Sequence, residues 1–196
     1  MKKQHRFTLV ELLAVVAIIA ILSAIGFGSY SYAMGKAKES STRALLKQLE
    51  AGLESFNTKH GHYPPSGVGF NTMTITIANG VINSINFGGM TLTYTASPAN
   101  RADRLHNEML GTFTKATDVE VLKKHLNASG EIEDAWGGKI YYCAPGTFNI
   151  AKFDLISAGP DGKFSSGNAA APTGVSDRTK YRTAAGEAVC DDIFNF

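Results

Sequence analysis

The sequence predicts an α+β chain, with a long N-terminal α-helix, apolar in its first half, packed by its second half on a small antiparallel β-sheet. Three observations carry that reading. An apolar run, Leu12 to Phe27, is followed to Lys59 by good helix formers without a proline. Leu46, Leu49, Leu53 and Phe56 recur as one stripe of a helix. Asn79-Gly80 separates Thr74-Ile75-Thr76-Ile77 from Val81-Ile82-Asn83-Ser84-Ile85, which reads as a β-hairpin.

Taken in order, the elements begin with charge. Of 19 basic residues, Lys2, Lys3 and Arg6 lie in the first six positions, so the rest of the chain has no excess over its 17 acidic residues. No basic surface is implied, and nucleic acid is not an expected partner. Basic residues before an apolar helix stay cytoplasmic, which places the C-terminal part outside an inner membrane. Glu11 is the anomaly in this segment. A carboxylate at the start of a membrane helix costs a few kcal/mol by insertion scales, so it needs a partner or a task. A plain secretory signal, cut after Ser31-Tyr32-Ala33, leaves Glu11 unexplained.

Gly61-His62-Tyr63-Pro64-Pro65 ends the helix. His60 and His62 flank this turn without a third ligand nearby in sequence and read as surface histidines. After the hairpin, Met90 to Tyr94 adds a third strand. Arg104–Gly111 and Asp118–Leu126 read as short helices, the second capped by Thr117 or Asp118. With 196 residues the chain suits one domain. Its two cysteines, Cys143 and Cys190, favour one disulfide in an exported domain and two buried thiols in a reducing compartment. Gly-x-Ser-x-Gly, His-Glu-x-x-His and the phosphate-binding Gly-x-x-x-x-Gly-Lys-Ser/Thr are absent, so nothing points to an enzyme.

Phe7-Thr8-Leu9-Val10-Glu11-Leu12-Leu13 resembles the processing motif of type IV prepilins and pseudopilins. The resemblance implies a pilin fold, cleavage between Arg6 and Phe7 by a prepilin peptidase, N-methylation of Phe7, and pairing of Glu11 with the terminal amine of a neighbouring subunit. Arg6 stands where the family has glycine. Further along, Asp134-Ala135-Trp136-Gly137-Gly138-Lys139-Ile140-Tyr141-Tyr142, Phe153 to Gly162 and the closing Asp191-Asp192-Ile193-Phe194-Asn195-Phe196 are similar to the major pseudopilin of type II secretion systems. That likeness implies strands from Lys139 and from Phe153. It also implies a calcium ion held by Asp161, Asp191 and Asp192 with the carbonyl of Ala158, Asp177 being a spare. Hard oxygen donors on loops suit calcium.

The organisation expected is a leader over 1–6, a transmembrane and assembly helix over 7–28, and a periplasmic globular domain over 29–196, with an inserted hairpin and helix region. The expected function is structural: a single-pass inner-membrane subunit that polymerises with its own kind and other pseudopilins on an inner-membrane assembly platform for type II secretion. A surface type IV pilus subunit is the alternative within that class. A membrane-tethered enzyme or ligand-binding module is the alternative outside it, and a deep polar pocket within 67–130 would favour it.

Overall fold

The structure, a computed structural model, describes residues 8–164, 172 and 192–195, with 25–28 described by backbone alone. The chain divides into two units, Met1–Lys38 and Glu39–Phe196. One helix, α1 (Leu9–His60), contributes to both. It ends as a helix with a glycine C-cap does. Gly61 adopts φ 78° and its N–H reaches the Asn57 carbonyl at 2.7 Å. Pro64 and Pro65 then prevent continuation.

In the globular unit, the expected stripe is buried. Leu45, Leu49, Leu53 and Phe56 are fully inaccessible and Leu46 nearly so. Against them packs a three-stranded antiparallel sheet of β2 (Thr74–Ala78), β3 (Val81–Asn86) and β4 (Thr91–Thr93). Asn79 and Gly80 take φ 53° and 77°, the positive pair that a two-residue type I′ turn requires. Ile75, Ile82, Ile85 and Leu92 are buried, so one face of this sheet enters the core.

A second antiparallel sheet joins β1 (Asn71–Thr72), β5 (Tyr141–Cys143), β6 (Asp154–Ser157) and β7 (Ile193–Phe194) in that order. The sequence predicts one sheet where there are two. A single extended run explains the difference. Asn71 and Thr72 pair with β5, buried Met73 makes the change, and Thr74 onward pairs with β3. Alternation along a run fixes which side chains point inward but not which strand lies beside it. In the second sheet both faces are covered. Tyr142, Leu155 and Ile193 join the main core, while Tyr141, Ile156 and Phe194 form a second cluster with Phe164 on the opposite face.

Two helices follow the first sheet. Helix α2 (Arg101–Ala116) starts three residues before the expected Arg104, because Asn100 and Asp103 form a capping box. Helix α3 (Val119–Lys123) is capped by Asp118, whose carboxylate accepts from Glu120 N at 2.9 Å. Thr117 instead closes α2. Helices α1 and α2 approach closely at Gly52, where a β-carbon would lie 2.6 Å from the Phe113 ring. At the end of β4, the side-chain amide of Asn107 on α2 both donates to the Thr95 carbonyl and accepts from the Thr95 N–H, each at 2.8 Å. The loop before β5 is organised by Asp134, which is buried. Its carboxylate accepts from Trp136 N and Gly138 N at 2.8 Å and from Ser157 Oγ at 2.5 Å.

Candidate functional site

The first unit is a helix whose described side chains from Thr8 to Ala24 are all exposed, although nearly all are apolar. Leu9, Val10, Leu12 and Leu22 are among the large ones. A helix apolar on every side, and exposed among the described residues, suits lipid or other helices. It is long and apolar enough to cross a membrane.

Glu11 stands at the start of this surface, and local geometry gives it a partner within its own chain. Thr8 is the N-cap. Its Oγ1 accepts from Glu11 N at 3.2 Å, and Glu11 Oε2 accepts from Thr8 N at 2.8 Å and from Thr8 Oγ1 at 2.9 Å. The Leu12 N–H reaches the Thr8 carbonyl at 3.2 Å, the first bond of the helix. This is a capping box, with the carboxylate at the third helical position and at the positive end of the helix dipole. The signal was present in the sequence as Thr8-x-x-Glu11. Thr8 is the partner of Glu11 that reading for a misplaced charge alone passes over. Arg6 and Phe7, the expected processing pair, lie outside the described residues.

Three of the expected cation ligands, Asp161, Asp192 and Ala158, are among the described residues. Strand β6 leads into a 3-10 turn, Gly159–Asp161, in which Asp161 is exposed and accepts from Lys163 N at 2.8 Å. Strands β6 and β7 pair Ser157 with Ile193, so the next step of the register sets Asp192 opposite Ala158. Asp161, Asp192 and Ala158 therefore belong to one end of one sheet. Asp192 is buried and Asp161 exposed. Asp191 and Asp177 lie outside the described residues, and among the described residues no three His, Cys, Asp or Glu side chains gather to hold a metal. The donor types, carboxylate and carbonyl oxygens, fit a hard cation. Cys143 is buried, its Sγ 3.3 Å from the Pro145 carbonyl oxygen. Its expected partner, Cys190, lies outside the described residues.

An open cleft of about 320 Å³ lies between the end of α1 and the 144–152 loop, lined among others by Asn57, His62, Tyr63, Pro145 and Lys152. None of its lining residues comes from 67–130. Beside the cleft, Lys152 bonds Glu54 at 2.9 Å, and that carboxylate also accepts from Tyr63. The ion pair holds the Lys152 ammonium above its usual range. His60 is half-buried on the Phe56 ring, centroids 4.7 Å apart, and His62 stacks edge-on to the same ring at 5.7 Å.

Known proteins place these features in a family. Residues 1–27 match the prokaryotic N-terminal methylation motif. Fimbrial protein Q of Moraxella bovis is 31% identical over 134 residues, which cover 61% of this chain and 83% of that protein. The type II secretion system core protein G of Escherichia coli is 22% identical over 182 residues, 91% of this chain and 97% of that one. A fimbrial protein of Neisseria meningitidis is 24% identical over 119 residues, 60% of this chain and 70% of that one. No solved structure matches the chain. A methylation motif at the head of an uncovered apolar helix, the α+β unit that follows and the extent of the match to a fimbrial protein lead to one assignment: the chain belongs to the type IV pilin-like family.

Proposed function

We propose that this pilin-like subunit builds a type II secretion pseudopilus that supports protein export across the outer membrane. The observation that carries the choice of system is the span of the match to core protein G, 97% of that protein, against 83% and 70% for the fimbrial proteins of Moraxella bovis and Neisseria meningitidis. The surface type IV pilus subunit stays as a second reading, favoured by the higher identity, 31%, of fimbrial protein Q. The role is structural in both, not enzymatic. Deletion of the gene in its host separates them. Loss of exported enzymes from the medium with surface filaments intact supports the pseudopilus. Loss of surface filaments with export intact overturns it.

In this reading a prepilin peptidase cuts between Arg6 and Phe7 and methylates the Phe7 amine. The chain then crosses the inner membrane once, with the globular unit in the periplasm. The subunit enters a polymer with its own kind and other pseudopilins at an inner-membrane platform. Glu11 pairs with the Phe7 amine of a neighbour, and the pair sets axial register because the buried charges compensate only when docked. Asp161, Asp191, Asp192 and the Ala158 carbonyl would hold calcium, which would neutralise the gathered carboxylates. Cys143 and Cys190 form a disulfide that anchors the chain just before those aspartates. Two alkylatable thiols in protein purified without reductant would refute that bond.

A further inference from the structure

We propose that Ser41 is an acyl-acceptor site whose hydroxyl is activated by His125. Ser41 lies on the exposed side of α1 within the globular unit, and its Oγ is 3.3 Å from Nε2 of His125. The other ring nitrogen, Nδ1, is 3.0 Å from the carbonyl oxygen of Glu133. A carbonyl only accepts, so Nδ1 carries the hydrogen. In the neutral ring Nε2 is therefore left with its lone pair toward Ser41, which donates. The backbone holds this arrangement in place. The His125 carbonyl accepts from Glu133 N at 2.7 Å, and buried Thr42, beside Ser41, accepts from Ala135 N at 3.1 Å. Nucleophile, base and the group orienting the base thus stand in the relation that nucleophilic catalysis uses. Ser41 and His125 are 84 residues apart in sequence, and no motif announces them.

The ligand class follows from what surrounds the pair. Arg43, the next charged residue along α1, is engaged with Glu39 at 3.0 Å. Arg43 is thus committed to a carboxylate and is not placed as the arginine clamp that phosphoryl transfer uses. A base alone suits a carbonyl electrophile, namely an activated ester or thioester. Ser41 Oγ adds to the carbonyl carbon while its proton passes to Nε2. The tetrahedral adduct expels the alcohol or thiol, which takes that proton back from Nε2. One acyl–oxygen or acyl–sulfur bond breaks, one acyl–oxygen bond to Ser41 forms, and the imidazole ends neutral. A contact that only ties α1 to the turn after α3 gives Ser41 no such reactivity.

The test uses the full chain in detergent with p-nitrophenyl acetate, the acetylated positions being mapped by peptide mass spectrometry. Ser40, an exposed neighbour on the same helix, is the internal reference. Ser41 is expected to be acetylated about 100-fold faster than Ser40, the lower end of what a positioned base supplies. His125→Gln should bring Ser41 down to the rate of Ser40. Equal rates in the native protein, or an undiminished rate in a folded His125→Gln variant, overturn the proposal. Should that variant unfold by circular dichroism, a folded His125→Asn variant and the native Ser41 to Ser40 ratio decide, and an undiminished Ser41 rate in the one or a ratio near one in the other overturns it.

Discussion

Glu11 is bonded before it meets a neighbour, and that changes what its loss removes. In the single chain its carboxylate completes the capping box with Thr8. On docking, the same oxygens would exchange that bond for a neighbouring amine. Glu11→Ala should leave membrane insertion intact and lower crosslinked filaments by more than about 100-fold, since removing one partner of a buried ion pair costs about 3–5 kcal/mol. Filaments at the native level, with equal membrane-bound monomer, would count against the assembly role. A second residue-scale expectation concerns acid. The Lys139 ammonium at 2.7 Å, with the Asn127 amide at 3.1 Å, holds Glu131 below the usual carboxylate range. A depressed folded value means that the stabilisation is present above the unfolded glutamate value, about 4.3, and is lost as pH falls through the folded one. Thermal melting of Glu131→Gln should therefore fall below the native protein at neutral pH, the two converging in acid. The difference should be small and shrink with salt, because the pair is partly exposed. Curves separated equally at every pH would show that the ion pair is not the cause.

Where helices and strands lie was largely legible; how they cross was not. The Leu46–Leu49–Leu53–Phe56 stripe and the Asn79-Gly80 turn were readable because periodicity and positive φ are local properties. The division of residues 71–78 between two sheets was not, because it depends on partners some seventy residues away in sequence. At the site, Glu11 was legible as a misplaced charge. Ser41 with His125 was not, since neither residue is unusual where it stands. Gly52 belongs with the illegible features. In a helix interior glycine costs about 1 kcal/mol relative to alanine, so sequence alone recommends replacing it. The structure predicts the reverse. A methyl group there would meet two Phe113 ring carbons at 2.6 and 2.8 Å and Thr117 Cγ2 at 2.8 Å. Gly52→Ala should destabilise by roughly 1–3 kcal/mol through overpacking, read by denaturant unfolding. A more stable variant would show that α1 and α2 part easily.

For the whole molecule, the calcium proposal makes the C-terminal sheet the part most sensitive to ionic conditions. Carboxylates gathered without a cation repel one another. A cation bound only by the folded state adds about 2.7 kcal/mol at a hundredfold excess over its dissociation constant. The full chain in detergent should melt higher with calcium than with chelator, and Asp161→Ala should remove the difference. Identical melting in the two conditions would leave Asp161 as a turn residue. Neither outcome affects Glu11, which lies in the other unit.

The contact between Asn107 and Thr95 bears on a hazard particular to proteins that live at high mutual density. Strand β4 is the outer strand of its sheet, and an outer strand presents backbone groups on which a copy of the chain can template. Asn107 offers one acceptor and one donor to the Thr95 backbone, the same pair that an incoming strand would bring. The helix thus satisfies with a side chain the backbone just past the end of β4, where an incoming strand would extend the sheet. A subunit concentrated in a membrane for ordered polymerisation is thereby protected, at this edge, from the disordered kind.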